Sequence, residues 1–73
     1  MRAYLKDLRE KARLSQKEVA EKLGISQNYY SAIETGERQK RLDVEFAVKF
    51  SEIFGVDVSW IIEQEKNLMN ESA

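Results

Sequence analysis

Gln27, Asn28, Ser31 and Ala32 recur at a spacing that places them together on one side of any helix they share. That side presents two carboxamides, a hydroxyl and a methyl group, with no charge to spend on solubility. Carboxamides and hydroxyls both donate and accept hydrogen bonds, so the chemistry on offer is directional recognition of a partner. The same four side chains also suit ordinary polar surface positions. A basic run, Glu37-Arg38-Gln39-Lys40-Arg41, follows shortly afterwards. Taken alone, such a run reads as a solvated loop.

Composition narrows the chemistry. The 73 residues include no cysteine and no histidine, which removes disulfides, thiolate metal sites and the commonest general base. No clustered carboxylate pair replaces them, so the chain is expected to be no enzyme, to hold no metal and to need no cofactor. Function must come from surfaces. No stretch approaches the about 20 apolar residues of a membrane span, and the N-terminus is a charged helical pattern rather than a signal peptide; a cytoplasmic protein is expected. Zero proline, three glycines and 34% charged residues suit an all-α domain. Residues 1–41 carry ten Lys/Arg against six Asp/Glu, and residues 42–73 carry two against seven, so a first part of net +4 precedes a second of net −5. A basic face backed by an acidic body fits a nucleic-acid partner.

The elements that would position these residues can be read in order. Leu5, Leu8 and Ala12, with Tyr4 beside them, mark a first amphipathic helix over 2–13. Ser15-Gln16-Lys17-Glu18 is a capping box, which starts a second helix with Val19, Ala20 and Leu23 inward. Gly24 stops it. Ser26 caps a third helix from Gln27 to about Thr35, closed by Gly36, with Tyr30 and Ile33 inward and Tyr29 at the flank. Asp43 suits the N-cap of a fourth helix reaching Phe54, with Val44, Ala47, Val48, Ser51 and Phe54 as its inner stripe and Gly55 after it. A second stripe, Phe46, Phe50 and Ile53, lies well around that helix and marks a surface buried on another side. Asp57 caps a last helix with Val58, Ile61 and Ile62 inward and Trp60 roughly opposite. Trp60 either anchors an interface or folds over the core edge. One domain, 1–69, is expected, with 70–73 as a flexible tail.

The stretch LSQKEVAEKLGISQNYYSAIETGER, Leu14 to Arg38, resembles the Cro/repressor-type, or XRE, helix-turn-helix family. It shares the Ser15-Gln16 opening, a small Ala20, the Gly24 turn, an inward Ile33, and Glu34 followed by Gly36; similarity continues more weakly to about residue 65 through FGVDVSWII. The resemblance implies a five-helix, lambda-repressor-like fold whose second and third helices, 16–35, form the motif, and it implies double-stranded DNA as partner. Gln27, Asn28, Ser31 and Ala32 then face base edges in the major groove, where carboxamides suit adenine and a methyl group suits thymine. Gln16, Ser26, Tyr29, Arg38, Lys40 and Arg41 become phosphate contacts, and Arg9 and Glu34 a structural ion pair. Two departures stand out: no proline precedes the fourth helix, and Tyr30 occupies a position where a branched aliphatic residue is commoner, which would either rotate the reading helix or send the hydroxyl to its edge.

A single reading helix spans few base pairs, so a homodimer on an inverted repeat is expected, acting as a repressor. Phe46, Phe50, Ile53 and Trp60 are the candidate dimer interface. Rival readings are a protein-interaction module, antitoxin-like or phage accessory, binding a protein through the C-terminal helices, and a restriction-modification controller that activates transcription.

Overall fold

The computed structural model describes residues 1–71. Among them are five helices and no strand: α1 Ala3–Lys11, α2 Gln16–Leu23, α3 Gln27–Thr35, α4 Val44–Phe54 and α5 Val58–Glu71. The chain divides into two compact units, Met1–Lys40 with α1 to α3, and a second starting at Arg41 with α4 and α5. Of the tail expected at 70–73, Asn70 and Glu71 fall within α5, and residues 72–73 lie outside the described residues.

In the first unit, α1 ends two residues earlier than its apolar pattern. Arg13 turns into the left-handed region at φ 58°, and Ala12, at the C-cap, is exposed rather than inward. The capping box of α2 is closed in both directions: the Glu18 amide donates to Ser15 Oγ at 3.0 Å, and the Ser15 amide donates to Glu18 Oε1 at 2.9 Å. Donation to the carboxylate from Ser15, by its amide first and then by its hydroxyl, holds the Glu18 carboxyl below its usual pKa. Gly24 and Gly36 close α2 and α3 in left-handed backbone, φ 73° and 89°. Leu5, Val19, Ala20, Leu23, Tyr30 and Ile33 are buried, and α2 and α1 both pack on α3. Ala20 has no side chain beyond Cβ, which lets α2 and α3 approach closely. The turn between them is closed by the Ile25 amide, which donates to the Ala20 carbonyl at 3.0 Å.

In the second unit, the buried side of α4 takes Ala47 and the half-buried Phe54 from the expected inner stripe and Phe50 from the second, and leaves the valines out. Val44 is 73% exposed and Val48 38%, whereas Ala47 and Phe50 are buried. The aromatic rings decide this. Phe46 stacks on Phe50 with centroids 6.1 Å apart, and Phe50 on Phe54 at 6.2 Å. Three rings at successive i, i+4 positions remove more apolar area from water than two valines can, so the helix turns that side inward. Asp43 holds extended backbone at the N-cap of α4, but its side chain makes no capping bond to the first turn. On α5, Ile61 is fully buried, while Ile62 is 42% exposed and was expected inward. With Val44, Ala47, Ile61 and Met69, Ile62 lines an open apolar groove between α4 and α5.

Candidate nucleic-acid interface

Helix α3 carries the uncharged face. Ser26 accepts from the Tyr29 amide at 3.1 Å, which fixes the first turn and orients Gln27 and Asn28. Both are exposed; Ser31 and Ala32, one turn on, are half-buried. The opposite side is anchored by Tyr30 and Ile33, neither of which has any exposure. Thr35 shares the outward side with Asn28, seven residues earlier, but its hydroxyl donates back to the Ala32 carbonyl at 3.1 Å. The sequence reading passed over Thr35.

Glu34 lies at the junction of α1, α2 and α3. Arg9 from α1 donates to it twice, Nε to Oε2 at 2.9 Å and Nη2 to Oε1 at 3.3 Å. Gln16, in the first turn of α2, donates from Nε2 to Oε1 at 3.3 Å. The Tyr30 hydroxyl is buried beside this carboxylate rather than at the helix edge, and burial first, then Glu34, raises its pKa above the ordinary value. Burial alone would raise the Glu34 pKa as well, but hydrogen bonds from Arg9, Tyr30 and Gln16 outweigh it and hold the carboxyl below its usual value. The same bond to Glu34 raises the Arg9 pKa. Glu34 is 2% exposed and neutralised by a guanidinium, so it projects little negative charge towards a phosphate. Gln16 keeps a second N–H and its oxygen for other partners.

The segment after α3 is not a loose loop. The Glu37 and Arg38 amides both donate to the Ala32 carbonyl, at 2.9 and 3.1 Å, and Gln39 takes left-handed backbone at φ 53°. Gln39 Nε2 donates to the Tyr29 hydroxyl at 3.0 Å, tying the segment to the N-terminal half of α3. Arg38 and Lys40, on either side of Gln39, are exposed. Nine of the ten residues expected to meet DNA, Gln16 to Lys40, thus belong to the first unit; Arg41, also exposed, opens the second. Arg2 is buried, although the sequence does not single it out. It was read as the start of an amphipathic helix, and no local pattern marks it as different from the other cations of that stretch.

A family model described as helix-turn-helix matches residues 5–61. The chain belongs to the Cro/repressor-type helix-turn-helix family. As a member of that family, it is a DNA-binding regulator with a lambda-repressor-like fold, in which α2 and α3 are the motif helices. Comparisons with curated proteins and with solved structures return no match. Among the described residues of this helix-turn-helix protein, no helix is long and apolar enough to cross a membrane, and no three His, Cys, Asp or Glu side chains cluster as metal ligands.

Of the four residues expected at a dimer interface, Phe50 is fully buried within the single chain and leaves that set, because its ring is sandwiched by Phe46 and Phe54. Phe46 and Ile53 are half-buried, and Trp60 is 40% exposed.

Proposed function

We propose that this protein represses transcription as a homodimer bound to an inverted-repeat operator, with Gln27, Asn28, Ser31 and Ala32 reading bases and Gln16, Ser26, Tyr29, Arg38, Lys40 and Arg41 contacting phosphates. The observation that carries this reading is the exposed, uncharged first turn of α3, capped by Ser26 and backed by the fully buried Tyr30 and Ile33. A rigid helix with carboxamides at its N-terminal end suits insertion into the major groove, where such groups discriminate between base pairs. Arginine and lysine contacts to phosphate supply affinity without sequence information.

Two copies would be joined through Phe46, Ile53 and Trp60, setting two reading helices about 34 Å apart on one face of the duplex. The half-exposed Trp60 supports this assignment, since tryptophan is enriched at the centres of interfaces. The reading implies a cytoplasmic protein without catalytic activity. Selection of bound sequences from a random DNA pool tests it: a palindromic site with half-sites about 10 base pairs apart is expected. Absence of any enriched sequence would overturn base reading, and an enriched site without symmetry would overturn the dimer. A reporter placed behind the recovered site separates repression from the activation expected of a restriction-modification controller.

A second reading is favoured by the groove between α4 and α5. Its residues Val44, Ile62 and Met69 are 73%, 42% and 53% exposed, and Ile62 and Met69 lie on the side of α5 away from Trp60. A protein partner seated there, as in an antitoxin-like module, would leave the Trp60 side of α5 open.

A further inference from the structure

Arg2 precedes α1 and is 2% exposed, a degree of burial that a guanidinium tolerates only when its donors are satisfied. Its main-chain amide donates to the Glu34 carbonyl at 2.8 Å. Nη1 donates to the carbonyls of Ile33 at 2.7 Å and Arg38 at 3.2 Å, and Nη2 donates to the carbonyl of Gln39. The first of these is simple capping: the last carbonyls of a helix lack intrahelical partners, and a cation there opposes the negative end of the dipole. The bonds to Arg38 and Gln39 lie beyond the helix and do something else. They hold the main chain of the basic segment from one side, while the Gln39 side chain holds it from the other through Tyr29. Gln39 maintains left-handed backbone, a conformation that a side-chain-bearing residue keeps only when its surroundings enforce it.

We propose that Arg2 is a positioning residue for DNA binding: without touching DNA, it fixes the backbone at 38–39 so that the Arg38 and Lys40 cations are presented to phosphates beside the reading helix. The inference rests on the DNA reading of α3 and adds a residue from the other end of the sequence to it. A segment ordered in advance loses less conformational freedom on contact than a loose one. Its cations should therefore register fully in the salt dependence of binding, which counts the phosphates neutralised.

The test is the slope of log affinity against log salt on a fixed duplex of arbitrary sequence, followed by fluorescence anisotropy, with circular dichroism confirming that each variant is folded at the temperature used. Arg2→Met is expected to make the slope shallower by about 1–2, because each lost phosphate contact removes about 0.9. In wild-type background Arg38→Ala and Lys40→Ala should each remove about 0.9; in the Arg2→Met background each should remove clearly less. A slope unchanged in Arg2→Met, or full additivity with both alanine variants, would overturn the proposal while leaving DNA binding intact. Failure of the wild-type protein to bind any duplex at low salt would overturn the DNA reading itself, and this inference with it. Should Arg2→Met not fold, Gln39→Ala, which cuts the other tie, takes its place: a shallower slope supports the held segment, and an unchanged one overturns it.

Discussion

Arg9 and Glu34 meet at 2.9 Å between α1 and α3, with side-chain exposures of only 14% and 3%. The pair joins the two ends of the first unit's core, since Arg9 Nη1 also donates to the Leu14 carbonyl ahead of α2, at 3.2 Å. Removing one partner of such a pair leaves a buried charge uncompensated. Arg9→Met should destabilise the protein by about 3 kcal/mol, the lower end of that class because Arg9 keeps an edge to water. Urea denaturation measures it, and a loss below about 1 kcal/mol would show the pair to behave as an exposed one.

Acid should expose the same network. The Glu34 carboxyl is held below its ordinary pKa of 4.5 in the folded state, so its ionised form stabilises the fold above that value. The contribution is lost as pH falls through 4.5 and on through the lower folded-state value. Glu18 is depressed in the same direction and adds to the effect. Thermal melts between about pH 5 and pH 3 should therefore show falling midpoints, with a weaker dependence in Glu34→Gln. An equally steep dependence in that variant would assign the acid transition to other groups.

Gly24 isolates the cost of turning between the motif helices. Its backbone is left-handed at φ 73°, yet a Cβ built there meets nothing within 4 Å. Gly24→Ala should lower stability by about 1–2 kcal/mol through backbone conformation alone, and Gly24→Asn should lose less. Equal stability of the alanine variant and the wild type would mean that the turn relaxes to another backbone.

Gln27→Ala and Asn28→Ala divide base reading from backbone contact. Each should cost about 1–3 kcal/mol on the selected operator and almost nothing on unrelated duplex, both measured at one salt concentration. An equal loss on both DNAs would reassign the residue to phosphate.

Trp60→Asp addresses the interface. Trp60 is 40% exposed, so the single chain should tolerate the change, and a charge placed in a dimer contact would oppose association. Sedimentation is expected to report a folded monomer with weakened operator binding; an unchanged dimer would remove Trp60 from the interface.

What the sequence alone determined is the local layer of this protein. Ser15 with Glu18, Ser26, Gly24, Gly36 and Gly55 mark helix ends because capping bonds and left-handed backbone are satisfied within a few residues. Val19, Ala20, Leu23, Tyr30 and Ile33 were legible as an inner face because helical period alone sets them there. The uncharged side of α3 was legible for the same reason. Tertiary structure decided whatever depends on which of two apolar sides finds a larger partner surface. On α4 both stripes had helical spacing, and stacked rings buried Phe50 while Val44 stayed in water. On α5, Ile62 had the same apolar character as Ile61 but faces an open groove. Arg2 is the clearest case: its carbonyl partners at Ile33, Arg38 and Gln39 lie more than thirty residues away along the chain. Backbone carbonyls carry no sequence identity, so no pattern of residue types could have announced them. Only the fold brings the second residue of the chain to the end of α3.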